Sequence, residues 1–479
     1  GWAGSPVHCS PNPNAHARAS SSRAGAQLRR RHHLRRSTSV ILSESYHEAT
    51  AIPTMSRFGK AVLLCLALFA AWHFCSPLFA DVPPRPGGDP AEEAPVASDA
   101  AGKASGLPLA REAGVREAAG AGRNFVISPL SIHAALAMVT AGARGDTRRE
   151  LLGFLGSASL DELHRSPAIQ LVGRLNGLTQ TSFACGVWVD QRRALRPEFT
   201  ATGASRYVAT AESVDFVSGA ELARRRVNAF VADATNQRIH DILPPGSVHS
   251  STAVVLANAL YFKGAWRRPF DVFTAPFHIP GGTTVRVPSM TTGRSQYIAL
   301  YPGFRALKLP YRTDGDRQAA AFYMLILLPD NATLSLTDLY GMAVSMPEFI
   351  RKHTPEEEVP VGQFMVPKFK FTSEYEASSD MQKLGVTTAF KGGDFSGMVS
   401  GGDGRLSIGG VLHKATIEVD EQGTMAAAAT AIAMYGSALR REPPHLVDFV
   451  ADRPFLFAVV EERTGTTLFL GHVVNPLAN

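Results

Sequence analysis

At 479 residues, 45% hydrophobic and 19% charged, the chain can bury a large core, and length alone suggests about three domains. No Pro/Gly/Ser linker or internal repeat divides the sequence after Lys103, which excludes a string of modules and favours one large mixed domain. Four cysteines exclude a disulfide framework, because Cys9, Cys65 and Cys75 precede Asp81 and only Cys185 remains in the body, while much of the +6 charge lies in the first sixty residues.

Residues 1–54 read as a disordered basic leader. The run Arg29-Arg30-Arg31-His32-His33-Leu34-Arg35-Arg36 sits in Ser/Ala/Pro-rich sequence without interleaved aromatics, so a nucleic-acid contact is the weaker reading. The first methionine is Met55, and translation starting there would omit the leader. From Met55 to Ala80 a basic start (Arg57, Lys60), an apolar run from Ala61 to Trp72 and the segment Cys75-Ser-Pro-Leu-Phe-Ala80 have the order of a signal peptide. His73, Ser76 and Pro77 keep the run short of the roughly 20 residues a membrane span needs, so no stable membrane association is expected. Secretion is the expected localisation. The cytoplasm is the alternative if the extension is an error in the gene's start, and an unpaired Cys185 would suit it. Residues 81–104 then form a Pro/Ala/Gly linker, and 105–479 the folded domain.

Along the body, Ser128-Pro129 supplies an N-cap and a first-turn proline, after which Ile132, Ala135, Leu136 and Val139 keep one helical face apolar. Cys185, within Ser-Phe-Ala-Cys-Gly-Val-Trp-Val, reads as buried core and not as a nucleophile. Arg224-Arg225-Arg226 reads as a solvated helix face in preference to a heparin or nucleic-acid site. Val227, Phe230, Val231 and Ala234 repeat the helical pattern, which Pro244-Pro245-Gly246 is expected to stop. Apolar runs mark buried strands over Val254–Phe262 and Phe322–Leu328, and a hairpin joins Leu456–Val460 to Thr467–Leu470 across Arg463-Thr464-Gly465. Asn331-Ala332-Thr333 is a glycosylation acceptor only in a secreted chain. Gly401-Gly402-Asp403-Gly404 lacks the lysine of a phosphate loop and reads as a turn. Helices early and strands late argue for α+β. The chain has no GxSxG elbow, HExxH, phosphate loop or metal-spaced Cys/His cluster, so no enzyme, cofactor or metal is expected.

The stretch Glu421-Gln-Gly-Thr-Met-Ala-Ala-Ala-Ala-Thr-Ala431 combines a glycine pivot with small side chains. Composition alone leaves two readings open: an alanine-rich helix or loop, and a strand able to thread a closed sheet. In a strand, alternate residues share a face. The set Thr424, Ala426, Ala428, Thr430, Ile432 and Met434 is small first and then apolar, and Met425 falls on the opposite face.

In chain order, NFVISPLSIHAAL, NALYFKGAW, VPKFKF, DFSGM, LHKATIEVDEQGT, FVADRPFLF and FLGHVVNP resemble the serpin family from about Asn124 to Pro476, and GVWVD, ILPPGSV and GHVVNPL look most like its plant branch. The resemblance implies an α+β fold of three β-sheets and a helical cluster, with an exposed reactive-centre loop over residues 421–446. It implies a suicide inhibitor of a serine protease, or of a cysteine protease as the alternative class, held in a covalent complex and acting as a monomer without cofactor or nucleic acid. A carrier or chaperone of the same fold, or a plain protease substrate, are the other readings.

Carried over residue by residue, the resemblance assigns the hinge to Glu421, Gly423, Thr424, Ala426, Ala427, Ala428 and Ala429. It assigns a shutter between strands that must part to Ser128, Ser131, Asn258 and His413, and the breach to Trp266. His413 by itself reads as a satisfied core histidine. Counting the family's spacing forward from Gly423 puts the reactive bond at Ser437-Ala438, whereas counting back from Phe449-Val450-Ala451-Asp452 reaches Arg441, with Arg440 beside it. The family usually has acidic residues at the places of Gln422 and Met425. Its first helix is amphipathic, but Leu107–Gly122 contains Pro108, Gly114 and Gly120 and is expected to form a short or distorted helix. The stretch from Trp266 to Phe277 is expected to be shortened.

Overall fold

In the computed structural model, which describes residues 106–120, 122–313, 320–346, 348–401, 403–422 and 445–478, a helical cluster packs with sheets of five, seven and four strands. The leader, the signal-like segment and the linker lie outside the described residues. Among the described residues no helix is long and apolar enough to cross a membrane.

Helix α1 (Gly106–Gly120) is continuous over 15 residues, so the first helix, expected to be short or distorted, is not short. Pro108 falls in the first turn, where a backbone N–H has no partner within the helix. Gly114 is a point of close approach: a Cβ there would lie 2.1 Å from the Tyr340 ring. The glycine that weakens α1 in isolation therefore lets it seat on the buried helix face of Leu336–Ser345. Helix α2 (Pro129–Gly142) starts as read, with Ser128 Oγ accepting from the Ser131 N–H. It is buried on all sides except at Ala141, a wider enclosure than a single apolar face.

Helix α3 (Ala220–Ala234) stops ten residues before the proline pair that was expected to end it. Thr235 Oγ1 bonds to the Val231 carbonyl and accepts from the Ile239 N–H, and Asn236 and Gln237 take φ of 52° and 60°. Asparagine tolerates that left-handed region, and the chain turns there. Arg224 and Arg225 share Glu221 and Arg226 pairs with Glu212, so two carboxylates offset most of the charge of the arginine run on this helix face.

The five-stranded sheet comprises β1 (Thr181–Asp190), β2 (Thr210–Val214), β3 (Val254–Phe262), β4 (Phe369–Glu376) and β5 (Ile408–Val419), in the order β4-β5-β3-β1-β2. The main core covers one face. Val227 and Val231 of α3, with Trp188, Val255, Ala257 and Ala259, form a second core on the other. Burial on both faces explains why β1 and β3 read as continuous apolar runs without alternation. Cys185 is buried in β1 opposite Asn258, and burial pushes its thiol up to about 12, which leaves it unreactive.

In the seven-stranded sheet, Phe455–Glu461 and Thr467–Val473 pair as the expected hairpin, with Gly465 at φ 69°. Of the glycine-rich segment read as a turn, Gly401 and Gly404 both take positive φ. The four-stranded sheet contains Asp271–His278, Thr284–Thr291, Val361–Pro367 and Val447–Val450. The segment proposed as the reactive loop thus leaves one sheet at the end of β5 and rejoins another at Val447.

Candidate functional site

β3 and β5 are parallel neighbours at the centre of the five-stranded sheet, with Asn258 and His413 opposite each other in register. The N-terminus of α2 crosses beneath them. His413 Nδ1 lies 2.6 Å from Asn258 Oδ1, and the Ser128 N–H donates to His413 Nε2 at 3.0 Å. Since Nε2 accepts, the neutral tautomer carries its proton on Nδ1 and donates it to Asn258. Ser131 Oγ donates to the same Asn258 oxygen at 2.8 Å, and Asn258 Nδ2 donates to the Leu412 carbonyl at 3.4 Å. All four side chains are at most 1% exposed. The structure thus brings Ser128, Ser131, Asn258 and His413 into one buried network spanning two strands and a helix cap. Such a network holds β3 and β5 in register while it is closed, and its loss would leave unpaired polar groups in the core.

Burial pushes His413 down to about 3 and His133 and His472 each down to about 4. Their folded values lie below the unfolded value near 6.5, so the stability they contribute is complete above pH 6.5 and is lost as pH falls toward the folded values. With three such groups, resistance to unfolding should fall by about 4 kcal/mol per pH unit between pH 6 and 5. Equilibrium denaturant titrations at several pH values measure this directly. A flat response from pH 7 to 5 would contradict the neutral network.

Charged groups close the top of the same seam. Glu418, near the end of β5, is ion-paired with Lys263, just past β3, and with Lys370 of β4 at 3.1 Å, and it accepts from Tyr261 Oη at 3.1 Å. Burial raises the Glu418 carboxyl, but the hydrogen bonds and charges of the two lysines outweigh it and hold the pKa at about 2. Lys263 also meets Asp420 at 3.0 Å. Trp266 stacks on Tyr311 with ring centroids 4.4 Å apart, and its Nε1 donates to the Asp420 carbonyl at 2.6 Å. One residue on, Glu421 pairs with Lys368 at 2.5 Å, and its carbonyl accepts from the Phe270 N–H at 3.0 Å. The Lys368 contact and charge depress the Glu421 pKa against a smaller effect of burial.

The segment that follows β5, up to Gln422, is therefore fastened from several sides. Of the hinge residues read from the sequence only Glu421 is described. Gly423, Thr424, Ala426, Ala427, Ala428 and Ala429 lie outside the described residues, as do Ser437, Ala438, Arg440 and Arg441. The lysine cage around Glu418 and Glu421 was not anticipated. Its signal is the period-two placement of Lys368 and Lys370 against Glu418 and Asp420 at neighbouring strand ends.

Comparison with known proteins bears on this geometry. The profile of the family described as Serpin (serine protease inhibitor) matches residues 106–476. An Oryza sativa subsp. japonica protein that carries the provisional name serpin-Z12 is 63% identical over 402 residues, covering 80% of this chain and 94% of its own. Serpin-ZXA from the same subspecies is 43% identical over 382 residues, or 78% of this chain and 95% of its own. Among solved structures, Arabidopsis AtSerpin1 in its native stressed conformation superimposes with a TM-score of 0.70 at 33% identity, covering 79% of this chain and 98% of that one. A thyroxine-binding globulin solved with thyroxine gives 0.64 at 23% identity over 78% of this chain and 99% of its own, which is a likeness of fold alone.

Proposed function

Because the chain belongs to the serpin family and is similar to its plant members, we propose that it inhibits its target protease as a suicide substrate whose loop inserts between β3 and β5. One observation carries this reading. The two central strands are parallel, and the 421–446 segment leaves from the end of one of them. A chain that turns back at Gly423 runs antiparallel to both, so it can satisfy a hydrogen-bond ladder on each side once they part. The buried polar network midway along the seam is suited to re-pairing around such a strand, and the cage at the top holds the entry shut until the loop is cut.

The chemistry belongs to the protease. Its serine hydroxyl attacks the Ser437 carbonyl carbon, the bond to the Ala438 nitrogen breaks, and that nitrogen leaves as an amine carrying a proton. An ester then joins Ser437 to the enzyme, or a thioester in the case of a cysteine protease. About fifteen inserted residues at roughly 3.3 Å each carry the attached enzyme some 50 Å along the sheet. Distortion of its oxyanion hole removes several kcal/mol of stabilisation from deacylation and leaves the ester intact. The inhibitor acts as a monomer, with the protease as its one partner. The signal-like order from Met55 to Ala80 supports secretion.

Ser437-Ala438 is the reactive bond in this reading, because the arm on the hinge side must match the length of the seam, whereas the far side only bridges to Val447. Gly436 and Ser437 fit an elastase-like pocket. Cleavage at Arg440 or Arg441 by a trypsin-like enzyme would leave an arm too long to press the enzyme against the fold and should give turnover. The test is to mix the protein with both protease types, isolate any complex that survives denaturant, and determine the mass of the released C-terminal fragment. A fragment beginning at Ala438 is expected; one beginning at Arg441 or Glu442 overturns the assignment.

A further inference from the structure

We infer that a cleft at the start of the β3/β5 seam, at the end opposite Trp266, is a binding site for a compact organic polyanion bearing phosphate or sulfate groups. The cleft is about 470 Å³ and is lined by Asp190, Arg192, Arg193, Ser251, Arg405 and Ser407. It adjoins the first residues of both central strands, since Val254 follows Ala253 of its wall and Ile408 follows Ser407.

The charge in this cleft is unbalanced. Arg193 Nη1 donates to the Gly401 carbonyl and Arg405 Nη1 to the Gly392 carbonyl, each at 3.3 Å. Among the described residues neither guanidinium takes part in an ion pair within 4 Å, although Asp394 stands opposite Arg405 in register and their charges interact; backbone carbonyls hold the two groups in place and leave N–H donors to solvent. Asp190 does not offset them. It is 2% exposed, and its carboxylate accepts from Arg192 Nε at 2.5 Å, from the Arg192 N–H at 3.1 Å and from the Phe216 N–H at 3.3 Å. Asp190 and Arg192 cancel, which leaves two positive charges. Ser407 Oγ accepts from the Gly392 N–H at 2.9 Å, so its own proton is free to donate. A second cleft of about 410 Å³ shares Gly392 and Arg405, but there Asp146 and Asp394 offset Lys391 and Arg405, so the unbalanced positive charge is confined to the first cleft.

Guanidinium forks recognise tetrahedral oxyanions through paired N–H donors. A space of this size falls in the range of small-molecule sites and would be underfilled by one inorganic phosphate. Two anchored arginines with a hydroxyl donor therefore call for a ligand with at least two anionic groups. Its occupancy would tie together the turn after β1, the entry to β3 and the entry to β5, and so raise the melting temperature.

Thermal melts of the whole chain at low salt test this, with inositol hexakisphosphate and sucrose octasulfate as probes and inorganic phosphate as the comparison. At least one polyanion should raise the melt in a saturable, salt-sensitive way and by more than inorganic phosphate does. A response to the first probe alone identifies phosphate esters, and to the second alone sulfate esters. The Arg193→Ala/Arg405→Ala variant should lose about tenfold or more in apparent affinity. Arg405 is exposed and Arg193 half-buried, and the unliganded melt of the variant checks that it folds. Arg405→Lys keeps the charge but loses the fork and should bind with intermediate affinity. Absence of any shift overturns the site. So does an unchanged response in the double variant, which would place binding elsewhere, for instance on the basic run at 29–36.

Discussion

A single cut between Ser437 and Ala438 should raise the melting temperature by roughly 20 °C or more. The freed arm can add a central strand of about a dozen residues with hydrogen bonds on both sides, each worth about 1 kcal/mol net, and a domain of this size gains about 2 °C per kcal/mol. The intact fold must then be held above its most stable arrangement by a kinetic barrier. In the insertion reading, that barrier would come from the closed register from Ile408/Val254 to Ile417/Phe262, the His413–Asn258 network and the lysine cage. Calorimetry before and after limited proteolysis checks the outcome. An unchanged or lowered melt after one clip would favour a non-inhibitory member of the family.

Thr424→Arg should abolish covalent trapping while leaving cleavage intact, so that inhibitor becomes substrate. In the strand reading Thr424 is the first side chain to face the core, and an unpaired charge buried there costs several kcal/mol. That penalty falls on the first step of insertion, when deacylation by the bound protease competes directly. The share of protease found in denaturant-resistant complexes should drop about tenfold or more, with release of the C-terminal fragment as fast as before. Parental stoichiometry in this variant would contradict insertion. Thr424→Ser, equally small and uncharged, should trap normally.

How much of this could be read from the chain varied with the range of the interactions involved. The strand Val254–Phe262 and the cap at Ser128 were legible because continuous burial and a side-chain cap leave local signatures. The end of α3 was misplaced because Pro244 is the louder signal, whereas Thr235 and Asn236 turn the chain first. The integrity of α1 was hidden because the role of Gly114 depends on Tyr340, which lies in a distant helix. In the site, His413 looks like an ordinary core histidine until Asn258 is known to face it. The lysine cage was missed because charges at strand ends usually belong to solvent, and only the sheet order brings Lys263, Lys370 and Glu418 together.

The placement of two tryptophans gives the molecule an optical gauge of its own. In a chain beginning at Asp81 only Trp188 and Trp266 would remain. Trp188 is enclosed beside Phe230 under α3, on the β1 and β3 side of the seam, and should emit alike whether the sheet is open or shut. Trp266 sits at the mouth of the seam, stacked on Tyr311 and bonded to the backbone at Asp420. One indole is therefore an internal reference and the other an indicator, so the rate of loop entry can be followed by intrinsic emission without attaching a dye.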